Sequence, residues 1–165
     1  MKIGFVRAML APALLMAALG GCKDLISGGD DVQREQYRVA HGRWQDAGVT
    51  SYSYVLELAC DCAPTSELRA VRVTVQNGTV VERRYESNDP SQRTPASETV
   101  FGPYDTVEEL FAAVDDAIRR ESDVLNVVYH PTYGVPTLLQ WDPDSARADD
   151  HLVVRVTGFA PAIVS

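Results

Sequence analysis

The stretch Leu68–Ser87, "LRAVRVTVQNGTVVERRYES", decides how the rest of the chain is read. Asn77-Gly78 separates two β-branched runs, and that dipeptide is the strongest short-range signal for a hairpin, because a type I′ turn needs positive φ at both central residues. On the first arm Val71, Val73 and Val75 occupy one face while Arg72, Thr74 and Gln76 occupy the other. Period-two alternation of this kind predicts a half-buried antiparallel strand. Upstream the same period governs "SYSYVLELACDC". Tyr52, Tyr54, Leu56, Leu58, Cys60 and Cys62 fall on even positions, so both cysteines are expected on the apolar face until Pro64 ends the strand.

Two helices flank these strands. In "DDVQREQYRVAHGRWQDAG", Asp30 with Gln33 has capping-box spacing, Tyr37, Ala40, Trp44 and Ala47 share a face, and Gly48 supplies the stop. In the second helix Thr106 and Glu109 form a capping box. Val107, Leu110, Phe111, Val114 and Ile118 trace an apolar stripe there, with Arg119 and Arg120 at the favourable end of the dipole. Three more strands are predicted, around Val124 to His130, Thr137 to Trp141 and Leu152 to Phe159. Between the halves, "NDPSQRTPASET" reads as a mobile surface crossover. The order α-β-β-β-α-β-β-β predicts an α+β fold: two amphipathic helices packed on one face of a mostly antiparallel sheet of about six strands.

The N-terminus carries a different signal. Lys2 and Arg7 precede an uncharged apolar run from Ala8 to Leu19 that is too short to span a bilayer. This is the pattern of a secretory signal. Leu19-Gly20-Gly21-Cys22 resembles the lipobox of bacterial lipoproteins. The resemblance implies cleavage before Cys22, diacylglycerol on its sulfur and acylation of its new amino group. Residues 1–21 are thus expected to be a lipoprotein signal, 22–31 a lipidated tether, and 32–165 a single globular domain. Acyl chains contribute roughly 0.8 kcal/mol per buried CH₂, enough together for firm anchoring, so membrane lipid is the first expected partner. Lys23 stands where an aspartate is associated with inner-membrane retention, which points towards the outer membrane in a cell with two membranes. The formal net charge is −8, and removal of Lys2 and Arg7 makes the mature chain more acidic still. With no basic stripe interleaved with aromatics, nucleic acid is not an expected partner.

Several signatures in order resemble an uncharacterised bacterial lipoprotein family, domain of unknown function DUF6174. They are the tryptophan helix before "SYSY", then "CDC", then V-x-V-x-N-G-x-V, "TVEELFAAV" and "VVYHPTYGVPTLLQWD", followed by the "DD" of Asp149-Asp150. The resemblance covers most of Trp44 to Val156 and implies fold and location. It transfers no catalytic residue. Family members commonly carry aspartate where His130 stands and an aromatic where Val135 stands.

The chemistry-bearing residues are few. With Cys22 committed to lipid, Cys60 and Cys62 remain, and export would place them in an oxidising compartment. Same-face neighbours on a strand have Cα atoms about 6.6 Å apart, close to the long limit of roughly 6.8 Å for a disulfide. A bridge therefore asks the chain to bend. Asp61 opposes the lowered thiolate pKa that redox work needs. A metal reading would add His130 and His151 to the two sulfurs. The structural disulfide is the favoured of the three. Asp142, Asp144, Asp149 and Asp150 cluster, but Ala146, Arg147 and Val153 break the EF-hand template, so these aspartates read first as turn formers rather than calcium ligands. His41 is expected to be partly buried or at the surface of the first helix. No G-x-S-x-G, H-E-x-x-H, Walker or dinucleotide motif occurs, and no cofactor is implied. The expected function is a non-enzymatic envelope lipoprotein that binds a protein or envelope component or supports assembly. The alternatives are a small-ligand or metal-binding module using the Cys60/Cys62 region, and an unrecognised enzyme, with redox chemistry as one form of it.

Overall fold

The computed structural model describes residues 28–147 and 150–162. The signal of residues 1–21, Cys22, the adjoining residues 23–27 and Asp149 lie outside the described residues, as does the side chain of Asp30. Among the described residues three helices, α1 (Gly28–Ala47), α2 (Glu98–Phe101) and α3 (Val107–Arg119), accompany six strands. The strands are β1 (Tyr52–Ala59), β2 (Val71–Gln76), β3 (Thr79–Tyr85), β4 (Val124–Tyr129), β5 (Pro136–Asp142) and β6 (Leu152–Pro161). All pair antiparallel in one sheet of order β3-β2-β1-β6-β5-β4. The class is α+β, as the alternation predicts. No described helix is long and apolar enough to cross a membrane.

Side-chain period explains the layering. Tyr52, Tyr54, Leu56 and Leu58 of β1, Val71, Val73 and Val75 of β2, and Leu152, Val154 and Val156 of β6 are all buried against the helices. The opposite sheet face stays open and carries pairs such as Arg155–Glu57 and Arg84–Glu82. The hairpin turn is as predicted, with Asn77 at φ 49° and Gly78 at φ 77°. In α3 the Thr106 hydroxyl accepts the Glu109 N–H at 3.1 Å, and every residue of the predicted stripe is buried.

Four expectations need correcting. Helix α1 spans Gly28–Ala47, so helix already runs through Asp30, the expected cap. Its buried face is thinner than the periodicity suggests: Ala40 and Trp44 are buried, Tyr37 packs at the margin, and Ala47 is exposed. Strand β1 stops at Ala59, so Cys60 and Cys62 do not continue its apolar face. The "NDPSQRTPASET" crossover is also structured. Its residues pair with the C-terminal half of β3 through Tyr85 N–H to Thr94 O and Ala96 N–H to Arg83 O, both 3.0 Å, and then form α2, a third helix absent from the predicted order.

Candidate functional site

The start of α3 gathers the buried polar chemistry of the domain. Tyr52 and Tyr54 point from β1 into the core, and a phenol there needs a partner for its hydroxyl. The Tyr52 hydroxyl accepts the Val107 N–H at 2.9 Å, satisfying a donor in the first turn of α3, and donates to Glu108 Oε2 at 3.4 Å. Trp44 of α1 donates its indole N–H to Glu108 Oε1 at 3.1 Å. Tyr54 donates to the Tyr104 carbonyl at 3.1 Å. Burial pushes both tyrosines well above their ordinary pKa, so they remain neutral hydrogen-bonding groups.

One residue before the helix cap sits Asp105, only 4% exposed. Arg83 reaches across from β3 to it, with Nε 2.9 Å from Oδ2 and a second nitrogen on the same oxygen. Loss of water raises the Asp105 carboxyl above its usual value; the Arg83 guanidinium pulls it back down, and the charge of Glu98 adds to the upward push. The pair forms the floor of a cleft of about 830 Å³. Thr79, Val80, Val81 and Glu82 of β3 make one wall, and Glu98, Thr99, Gly102, Pro103 and Glu109 make the other. Asp105, Glu98 and Glu109 thus lie on the side of one arginine that is already ion-paired, while Glu82 turns to Arg84 on the open sheet face. Such a lining can hold a cationic group by charge and hydrogen bonding.

The residues singled out from sequence lie elsewhere. Cys60 packs against the core margin and Cys62 is exposed in the turn beyond β1. Their sulfurs are in direct contact and their Cα atoms 5.2 Å apart, which shows the bend that a strand end permits and a continuous strand does not. Ala59 pairs with Val153, so this turn shares one end of the sheet with His151. His130 is at the other end, its ring 6.0 Å from that of Phe159, roughly 23 Å along β6 from Leu152 at ~3.3 Å per residue. The proposed sulfur and histidine ligands are therefore not brought together. Among the described residues no group of three His, Cys, Asp or Glu side chains could hold a metal ion. Instead, Nδ1 of His130 accepts the N–H groups of Thr132 and Tyr133 at 3.2 and 3.3 Å, organising the β4–β5 turn. His41 is half-buried, 4.7 Å from the Phe111 ring. Asp142 and Asp144 accept the N–H groups of Asp144 and Ala146 at 3.2 and 3.1 Å, as turn formers do, and Asp150 is half-buried at the far end of that loop.

The Arg83–Asp105 pair and the Tyr52–Glu108–Trp44 group have no local motif in the sequence. The available hint was physical: two phenols alternating on a core-facing strand demand buried partners, and acidic residues surround the Thr106 cap.

Together these features define a two-layer α+β domain with an acidic cleft at one sheet edge. Residues 36–161 match the family of unknown function DUF6174, and the chain belongs to that family. Searches of curated proteins and of solved structures each gave no significant match.

Proposed function

We propose that the protein is a lipid-anchored, non-enzymatic binding module of the bacterial cell envelope, with its domain outside the cytoplasm and, in a cell with two membranes, at the outer membrane. The observation that carries the binding role is the cleft over Arg83 and Asp105, whose lining offers charge and hydrogen bonding. The anchoring rests on the lipobox-like sequence ending at Cys22. With α1 described from Gly28, six Cα–Cα steps separate it from the acylated residue, a reach of at most about 22 Å, so the domain would sit close to the bilayer. The close contact of Cys60 and Cys62 supports a disulfide there, which leaves neither thiolate for a metal or for redox work. The region would then be a local clamp on the end of β1 rather than a ligand site.

The test combines labelling with crosslinking. Cells fed an alkyne-tagged fatty acid should label the wild type and not Cys22→Ser. Crosslinked envelopes should yield one reproducible partner in independent preparations. Absence of label, or recovery of no recurrent partner, would sink the reading. Intact mass of the exported protein decides the cysteines: loss of the two thiol hydrogens with no added metal supports the disulfide, whereas bound metal would revive the metal-binding alternative.

A further inference from the structure

β3 is an outer strand of the sheet, and its two halves are treated differently. The C-terminal half is covered: Thr94 and Ala96 bond to Tyr85 and Arg83, and Pro95 bridges to Arg84 in antiparallel sense. After Ala96 the chain leaves this edge and turns into α2. The gap it opens is the cleft, walled on one side by Thr79–Glu82, along which no further strand pairs among the described residues. An edge strand with free backbone groups is a template for another chain, and β-strand addition is a recurrent way of binding an extended peptide. The 94–96 segment shows that this edge accepts a chain in antiparallel register.

The side chains specify the occupant. Of the cleft carboxylates, Asp105 is paired with Arg83 and Glu82 with Arg84. Glu98 and Glu109 are exposed, line the same cleft from α2 and α3, and enter no ion pair among the described residues. A shift in register between Thr74 and Val75 of β2 makes Val81 the extra residue of a bulge, 54% exposed at the wall. Bulges at sheet edges commonly re-aim a side chain. The cleft therefore combines backbone pairing, an apolar contact and two uncompensated negative charges.

We propose that an extended polypeptide segment bearing a lysine or arginine adds to the Thr79–Glu82 edge of β3 and lays its cation against Glu98 and Glu109. This deepens the binding-module reading and rests on it.

The probe is a fluorescein-labelled heptapeptide alternating lysine with valine, titrated by fluorescence anisotropy against the full chain purified in a nonionic detergent. The lysine peptide should bind, and a glutamate counterpart should not. The double variant Glu98→Gln/Glu109→Gln, with both sites at the surface, should keep the wild-type melting temperature and bind about tenfold more weakly. N-methylation of the peptide backbone on its pairing side should weaken binding by a similar factor. No binding of the lysine peptide, binding indifferent to the two glutamates, or binding indifferent to N-methylation would each overturn the proposal. So would spermine binding as tightly as the peptide, since charge alone would then suffice. The two levels separate cleanly. A recurrent envelope partner with a negative peptide experiment removes strand addition and leaves the module. Peptide binding without an envelope partner removes the envelope role and leaves the edge chemistry.

Discussion

Gly134→Ala gives the sharpest test of how the helical layer is held on the sheet. Gly134 lies in the β4–β5 turn at φ +75°, and its N–H bonds to the His130 carbonyl at 2.8 Å. A β-carbon built there would stand 2.0 Å from the carbonyl oxygen of Ala40 and 2.8 Å from its carbonyl carbon. Ala40 is buried in the middle of α1, so the obstacle is helix backbone with no rotamer to yield. The helix and turn would have to separate by more than about 1 Å. Left-handed backbone costs a non-glycine residue roughly 1 kcal/mol, and forced separation of a packed contact adds about 1–3 kcal/mol. The expected loss of about 2–4 kcal/mol is a large share of the 5–15 kcal/mol typical of a domain. Gly78→Ala is the matched control. Its φ is +77°, but nothing lies within 4 Å of the added carbon, so only the conformational cost of about 1 kcal/mol should appear. Guanidinium melts of the three proteins, followed by tryptophan fluorescence and far-UV circular dichroism, give the comparison. If Gly134→Ala and Gly78→Ala agree within about 0.5 kcal/mol, the seating of α1 on the turn is wrong.

Arg83→Met should destabilise by about 3–5 kcal/mol because Asp105 is left buried without its cation, while Arg83→Met/Asp105→Leu should recover much of the loss in the same melts. Asp105 also predicts a pH signature. Its folded-state pKa is raised above the ordinary 3.8, chiefly by burial, so its contribution to stability is complete below the unfolded value and is lost as pH rises through the folded one. The stability of wild type relative to Asp105→Asn should therefore grow as pH falls from 7 towards 4; a difference that shrinks would contradict the sign of the shift. Tyr52→Phe leaves the Val107 N–H without its acceptor and should cost about 1–3 kcal/mol in denaturant melts, with the largest loss of amide-exchange protection at the first turn of α3.

Local chemistry made much of the fold legible in the sequence. Asn77-Gly78 fixed the hairpin because few dipeptides adopt its backbone, and Thr106 with Glu109 marked the start of α3 because the cap satisfies helix donors that water would otherwise claim. The apolar faces of β1, β2 and α3 followed from periodicity. Long-range pairing was not legible: β1 meets β6 at the centre of the sheet, a hundred residues away, and no local pattern encodes that partner. The same holds for the cleft. Arg83 looked like an ordinary polar strand residue, and its role appears only when Asp105, 22 positions later, is folded beneath it. The cysteine pair was misplaced because alternation was carried one turn too far; β1 ends at Ala59, before the bend. The crossover looked unstructured because proline interrupts any period, yet a few backbone bonds suffice to seat it on β3.

A partner bound as proposed, through the cleft at the β3 edge, would be captured from that edge alone. A photo-crosslinking amino acid placed at Val81, in the cleft wall, or at Val124, 46% exposed on the opposite edge strand β4, tests this in living cells of the native host. The expected result is one discrete adduct from position 81, none from position 124, and loss of the adduct in the Glu98→Gln/Glu109→Gln background. Equal adducts from both edges, or an adduct at position 81 that survives removal of the two charges, would contradict it.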